Sequence, residues 1–171
     1  MIAALNAAEP AVFALMDYWT FDGWFALQRQ LKEPGAPKLK KTVFPGIELR
    51  LAAPTKVRLN AHVLFSNEVE DQSLNDFKST LEIEIIKRPL SNAALVALAR
   101  QIAEDMLKKH GFSKADVDAD ESKALLAGSK IAEINCETYK SAIARVPNQQ
   151  AIGFMPYDTS DGLNEVKWQE H

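Results

Sequence analysis

The clearest chemical spacing in this chain is formed by three aspartates at alternate positions, Asp116, Asp118 and Asp120. Carboxylates spaced in this way begin the calcium loop of helix–loop–helix proteins. Such a loop needs glycine at its sixth position and glutamate at its twelfth, where this chain has Glu121 and Ala127. We therefore expect the aspartates to lie at helix starts, which the helix dipole favours, and we expect no metal site.

Zinc and nucleophilic chemistry have few candidate residues. The three histidines, His62, His110 and His171, are far apart, and Cys136 is the only cysteine. A structural zinc site takes four ligands, and a nucleophilic cysteine or serine needs a positioned base. The seven glycines are scattered singly, so no phosphate-binding loop is indicated. We expect no catalytic residue and no cofactor.

Paired carboxylates are the remaining acid–base candidates. Glu82 and Glu84 are two residues apart in a predicted strand, so their side chains share one face. Such a pair can transfer protons, but on an open sheet face it is more commonly solvated or salt-bridged. Arg58, on the neighbouring predicted strand, is the expected cation. We assign these three residues to a candidate interface.

Three segments with alternating polarity predict the sheet that positions these residues. They cover residues 47–51, 56–65 and 77–85, and the last two are joined by a polar, acidic loop over 66–76. Period-2 alternation is typical of a strand with one face in water. The three segments predict an antiparallel meander.

The register of the last two strands follows from their side chains. If Phe65 opposes Phe77, the apolar residues share one face and Arg58 opposes Glu84. His62 then faces solvent.

A long amphipathic helix is predicted from Ser91 to Gly111, following the third strand. Ser91 is a typical N-cap residue, and glycine is the preferred residue just after a helix. The apolar residues between them recur at helical spacing and are expected to pack on the sheet: Leu95, Leu98, Ala99, Ile102 and Met106.

The N-terminal segment is predicted to hold short helices interrupted at Pro10. Val12, Phe13 and Met16 would form the apolar face of one of them. A further helix, through Trp24, is expected to run to Lys32.

An aromatic cluster over residues 18–25 has two interpretations. Its side chains either complete the core or form a subunit interface, where tryptophan and tyrosine are enriched. The interface candidates in it are Trp19, Phe21 and Trp24. The loop over 33–46 is basic and long, and such loops often contact partners, so Lys38, Lys40 and Lys41 are added to the candidates.

The C-terminal third is predicted as a mixture of elements. A capping box begins at Ser113 and a short helix ends near Gly128. Residues 131–146 fit a helix or a strand, and 151–157 with 163–168 fit a hairpin or an ordered tail.

The chain of 171 residues is predicted to form a single α+β domain, with 47% apolar and 25% charged residues. We divide it into an N-terminal segment (1–32), a basic loop (33–46), a core (47–110) and an extension (111–171). The expected fold is an antiparallel meander sheet of three or more strands packed on one long helix, with short N-terminal helices and a mixed C-terminal extension.

Charge and composition argue against several classes of partner. The net charge of −3 favours neither nucleic acid nor an anionic membrane, and no apolar run approaches the roughly 20 residues of a spanning helix. Residues 1–60 carry a net charge of +3 and residues 61–121 one of −5. This distribution suits self-association or a protein partner better than a polyanion, and it is also that of an ordinary solvated surface. A single cysteine forms no intrachain disulfide and favours synthesis in a reducing cytoplasm.

The order of elements resembles the tail-terminator and tail-completion proteins of tailed bacteriophages. The resemblance covers residues 1–16 and 47–107 and is carried by MIAALNAAEPAVFALM, by the strand pair, and by STLEIEIIKRPLSNAALVALARQIAEDML. It implies a non-enzymatic, ring-forming subunit of a virion that caps a tail tube and packs against identical subunits and other structural proteins.

The sequence thus predicts a homo-oligomeric assembly protein without enzymatic activity. The alternative is a small adaptor or inhibitor that binds one partner through the acidic 66–76 loop or the acidic sheet face. A polar pocket that gathers His62, Glu82 and Glu84 would instead favour an enzyme.

Overall fold

The computed structural model describes residues 1–53 and 59–157, which form an α+β fold. Within these ranges the α-helices are α1 (Ile2–Ala7), α2 (Asp22–Leu31), α3 (Asp71–Thr80), α4 (Asn92–Gln101), α5 (Glu104–Lys109), α6 (Lys114–Ala119), α7 (Glu121–Ile131) and α8 (Cys136–Ala144). The strands are β1 (Val12–Tyr18), β2 (Thr42–Ala52), β3 (Leu59–Phe65), β4 (Glu82–Ile83), β5 (Arg88–Pro89), β6 (Ile134–Asn135) and β7 (Ala151–Phe154). A single 3-10 turn, Pro147–Gln149, precedes β7.

The seven described strands form one mixed sheet built around β2. Its order is β5-β4-β6-β2-β3-β7, and β1 pairs with the first half of β2. β1 and β6 run parallel to β2, whereas β3 runs antiparallel to it and β7 antiparallel to β3. The predicted sheet is correct as part of an α+β fold, but the prediction of a purely antiparallel meander is wrong.

The alternation predicted for the central strands is confirmed. Ile47, Leu49, Ala61 and Val63 are fully buried, and they face a core completed by helical side chains. The residues between them, such as Glu48 and the others on its face, are only partly buried. Period-2 polarity therefore located the inner face of β2 and β3 correctly.

The strand predicted over 77–85 is wrong for most of its length. Leu74, Phe77 and Leu81 are spaced by three and four residues, and all three are buried; the first two lie on helix α3. The sequence predicts a loop for Leu74 and a strand for Phe77 and Leu81, because the spacing of Phe77 and Leu81 fits both the strand period of two and the helical period of 3.6. Only Glu82–Ile83 of this segment is a strand.

The predicted strand register is wrong for the same reason. β3 pairs with β2 and β7, so Phe65 and Phe77 are not strand partners. Their rings nevertheless contact each other edge to face, with centroids 5.0 Å apart, because α3 packs on the inner face of the sheet. Arg58 lies outside the described residues.

The single long helix predicted from Ser91 to Gly111 is two helices. The Ser91 cap is confirmed, since its Oγ accepts a hydrogen bond from the Ala94 amide at 3.1 Å. α4 ends at an extended Ile102, and α5 begins two residues later, which places Leu107 in the core with no exposed surface. Gly111 has a φ of +81°, the left-handed conformation expected after a helix.

The N-terminal prediction is partly wrong. Residues 12–16, predicted as a helix, belong to β1, where pairing with β2 supplies their backbone hydrogen bonds. The predicted loop over 33–46 ends early, because β2 begins at Thr42. The helix through Trp24 is confirmed as α2.

The C-terminal third is largely helical. The Ser113 cap is confirmed by a hydrogen bond from the Asp116 amide to its Oγ at 3.1 Å. α7 continues past Gly128, where it had been predicted to end, and most of 131–146 is helix α8. The first half of the predicted hairpin contains β7; residues 163–168 lie outside the described residues.

Candidate functional site

The predicted aromatic interface is part of the core. Trp19, Phe21 and Trp24 are 1%, 1% and 4% exposed. Phe21 packs edge to face on Phe65, with ring centroids 5.4 Å apart. The Trp19 indole donates a hydrogen bond to the Ser129 carbonyl at 3.0 Å. Of the two interpretations of this cluster, the structure therefore shows completion of the core, and these side chains are not available to a partner.

The basic loop lies on the surface and is tied to the N-terminal helix. Lys38 and Lys40 are exposed, and Lys41 is partly buried. The Asn6 side chain donates to the Lys38 carbonyl at 2.9 Å and accepts from the Lys40 amide at 2.8 Å. Both bonds involve the loop backbone, so they position the loop and leave the lysine side chains at the surface.

The two glutamates of the predicted acidic face form a local ion-pair cluster. Lys87 pairs with Glu84, and its Nζ lies 3.8 Å from Glu82. Asn135 donates to the second Glu84 oxygen at 2.6 Å. The Lys87 ammonium and then the Asn135 amide hold the pKa of Glu84 below its usual range. Lys87 is therefore a cation of this cluster, and the predicted partner, Arg58, lies outside the described residues.

These glutamates and His62 belong to different parts of the sheet. Glu82 and Glu84 lie at β4, which is separated from β3 by β6 and β2. The structure does not bring the three residues together. The pocket that would have favoured an enzyme is therefore not formed by them.

Two of the three spaced aspartates, Asp116 and Asp120, lie at helix starts as predicted, whereas Asp118 lies in the last turn of α6. Asp120 caps α7, and its carboxylate accepts hydrogen bonds from the amides of Ser122 and Lys123 at 2.8 and 3.2 Å. Asp116 pairs with Lys123 at 2.6 Å, which lowers the pKa of Asp116, and Asp118 pairs with Lys114. No group of three His, Cys, Asp or Glu in the described ranges has the geometry of a metal site.

Cys136 is a packed thiol. Its Sγ lies 3.0 Å from the Ala52 carbonyl oxygen, and burial raises its pKa. Since the thiolate is the reactive form, this environment lowers the reactivity of the sulfur.

The surface that the sequence analysis missed is the outer face of the sheet, here called the open face. It is formed by the side chains of β1, β2, β3 and β7 that point away from the core. Their positions follow from the register, in which Met16 pairs with Gly46, Gly46 with Leu64, and Leu64 with Ile152.

One end of the open face is apolar and exposed. Val12, Ile152 and Phe154 are 57%, 63% and 45% exposed. Phe44 and Leu64 lie between them and are partly buried. Single exposed apolar residues are ordinary, whereas several on one face indicate an interaction surface.

The other end of the open face is polar. Glu48 accepts a hydrogen bond from Asn60 at 3.1 Å and lies 3.6 Å from His62 Nε2. The His62 ring stacks on Phe154, with centroids 5.2 Å apart. Arg50 lies over the Tyr18 ring.

Glu48 and His62 are residue types found in acid–base sites, but here the imidazole nitrogens are not accessible to a substrate. His62 Nδ1 is shielded from solvent and makes no hydrogen bond within the described part of the chain. Because the other nitrogen faces Glu48, the imidazole does not present a basic nitrogen to a substrate. The pair is better suited to holding β2, β3 and β7 in register.

β7 is an edge strand with an adjoining groove. Among the described strands it pairs with β3 alone. A groove of about 430 Å³ lies along it, lined by Tyr139, Ile143, Gly153, Phe154 and Met155. The Tyr139 hydroxyl donates to the His62 carbonyl at 3.3 Å, and burial raises the pKa of Tyr139 to about 12.

No helix within residues 1–53 and 59–157 is long and apolar enough to cross a membrane. Searches of protein-family models, curated proteins and solved structures found no match to this chain.

Proposed function

We propose that this protein is a non-enzymatic assembly subunit that associates with identical copies through the open face. The observation that carries the proposal is the apolar end of that face, where Val12, Ile152 and Phe154 are all about half exposed or more. Water contact with so much apolar surface is unfavourable, and a second protein surface removes it.

The polar end of the open face supports the same role. The Glu48 and His62 side chains are partly exposed there, at 32% and 17%. Groups of this kind prevent indiscriminate contacts, because a wrongly placed partner would leave their polar atoms unpaired. An apolar patch bordered by polar groups is the usual anatomy of a specific interface.

The resemblance to phage tail-terminator and tail-completion proteins extends the proposal to a ring-forming subunit of a phage-like particle. The adaptor alternative has less support, because Lys87 pairs with both glutamates and offsets part of the negative charge of the acidic face on which it depended. The segment 66–76, expected to be an acidic binding loop, largely belongs to helix α3.

Light scattering coupled to size exclusion, over a concentration series, tests the proposal. We expect the wild-type chain to form dimers or larger species at micromolar concentration. A Val12→Lys substitution should raise the dissociation constant by about tenfold or more, because it places a charge in an apolar interface.

Ile85→Lys is the matched control. Ile85 is 51% exposed, close to the value for Val12, but it lies next to β4, away from the open face. We expect this variant to associate like the wild type. A wild-type monomer at every concentration, or equal effects of the two substitutions, would overturn the proposal.

A further inference from the structure

The edge of β7 away from β3, which no described strand occupies, is the part of this surface with the most definite geometry. The Ser66 amide donates to the Gln150 carbonyl at 2.8 Å, and the pairing continues through Leu64 with Ile152 and His62 with Phe154. In an antiparallel ladder, alternate residues direct their backbone groups to opposite sides. Gln150, Ile152 and Phe154 therefore bond to β3, while the backbone groups of residues 151 and 153, and of Met155 directly after β7, point to the edge that no described strand occupies.

This edge lacks the usual protection against pairing. Natural edge strands commonly carry lysines or other charges that repel a further strand. Residues 147–157, PNQQAIGFMPY, contain no charged side chain. Pro156 is at an alternate position that faces β3 and has no amide proton to donate to it, so regular pairing ends after Met155.

We propose that two copies of the chain pair through their β7 edges, antiparallel and centred on Gly153. This inference rests on the proposed function and specifies one contact of the assembly. In this register the hydrogen-bonded pairs are Gly153 with Gly153 of the second copy, and Ala151 with Met155 of the second copy.

The side chains on the open face are self-complementary in this register. Ile152 of each copy lies directly opposite Phe154 of the other, at a non-hydrogen-bonded pair, where side chains are closest. Aromatic residues opposite β-branched residues are favourable cross-strand pairs. The two-fold axis forms the pair twice, and it covers two of the most exposed apolar side chains.

The inner side of the joint has room for the pairing. A Cβ on Gly153 would lie 2.7 Å from the Tyr139 hydroxyl and from Ile143, so α8 lies close under the edge. With glycine opposite glycine, no side chain enters this space from either copy. The same contacts explain why residue 153 is glycine.

Disulfide trapping tests the register. In a Cys136→Ser background, an Ile152→Cys chain is mixed with an affinity-tagged Phe154→Cys chain under mild oxidation. We expect the mixed disulfide to form at least about tenfold faster than either same-residue disulfide, since only the mixed pair is directly opposite. Equal rates, or no mixed product, would overturn the register.

A charge exchange tests the same pair without a cysteine. Ile152→Lys and Phe154→Glu should each weaken association by about tenfold, because each places one charge against an apolar partner. The double variant should recover to within about threefold of wild type, because opposite charges then face each other across the joint. Failure of the double variant to recover would count against the pairing.

The two proposals fail in distinguishable ways. If wild-type chains associate but the mixed disulfide does not form, the β7 pairing is wrong and the assembly function stands. If wild-type chains remain monomeric, both proposals are wrong. Circular dichroism of each variant, including the Cys136→Ser background, checks that the substitutions leave the fold intact.

Discussion

Gly128 of α7 lies directly against the backbone of Leu95 in α4. A Cβ at residue 128 would overlap the Leu95 carbonyl group, lying 2.6 Å from its carbon and 3.1 Å from the Leu95 Cα. Since the neighbouring atoms are backbone, they cannot rotate away as a side chain would. The contact between these two helices therefore depends on the missing side chain.

We predict that Gly128→Ala destabilises the fold by about 2–3 kcal/mol, because the two helices must move apart. Helix propensity alone predicts the opposite sign, since alanine is about 1 kcal/mol better than glycine inside a helix. Urea unfolding measures the difference. Ser122→Ala, at an exposed position on the same helix, is the control and should be neutral or slightly stabilising. A stable Gly128→Ala variant would show that the helices are not in tight contact.

Tyr139 predicts a loss of stability at alkaline pH. Burial raises its pKa from the usual 10.0 to about 12, so the folded protein holds this proton more tightly than the unfolded chain. The resulting stabilisation is complete below pH 10 and is lost as the pH rises from 10 to 12. Thermal melts of wild type should therefore fall more steeply across this range than those of Tyr139→Phe.

Tyr139→Phe also has a pH-independent effect. It removes the hydrogen bond to the His62 carbonyl and should cost about 1 kcal/mol at neutral pH. If the melting temperatures of the two proteins fell in parallel between pH 10 and 12, the raised pKa of Tyr139 would be contradicted.

The ion-pair cluster around Glu84 predicts that the folded protein loses stability at acid pH. Its pKa lies below the ordinary 4.5 in the folded protein, through Lys87 first and Asn135 second. The stabilisation is therefore present above about pH 4.5 and is lost as the pH falls through the lower pKa that Glu84 has in the folded protein. Glu84→Gln should lower the melting temperature by about 1–3 °C at pH 7, since exposed pairs contribute little. The difference from wild type should shrink as the pH falls below 4.5; a constant difference would exclude this pairing as its cause.

The hydrogen bonds of the Asn6 side chain are expected to protect the basic loop from proteases. Asn6→Ala removes both hydrogen bonds that hold the backbone at Lys38 and Lys40. Limited trypsin digestion should then cut after these lysines several-fold faster, because cleavage requires local unfolding of the loop. Asn67→Ala, in the exposed segment after β3, is the control and should not change the rate at these two sites. Equal rates for the two variants would show that the loop is held by other contacts.

The features that were correctly predicted from the sequence depend on local signals. The inner faces of β2 and β3 follow from alternation, and the caps at Ser91 and Ser113 follow from one side chain and one nearby amide. Each signal lies within a few residues. No knowledge of the neighbouring elements was needed to interpret it.

The features that were missed depend on contacts between distant segments. Val12, Phe13 and Met16 fit a helix by their spacing, and only the pairing with β2, about 30 residues away, selects a strand. Gly128 was predicted to end α7 because glycine often follows a helix, but α7 continues past it. The glycine is needed there for the close contact with α4, which the local sequence does not reveal. The open face was missed because Phe44 and Leu64 are apolar on the side where polar residues were expected.

The position of β7 in the chain has a consequence for biosynthesis. β7 is the last described strand, and its partner β3 ends more than 80 residues earlier. During translation the remainder of the sheet can form before residues 151–155 leave the ribosome. Nascent chains therefore lack the proposed joint until these residues emerge, and a chain truncated before residue 151 cannot enter an assembly through it. Pairing would then exclude translation products that stop before β7.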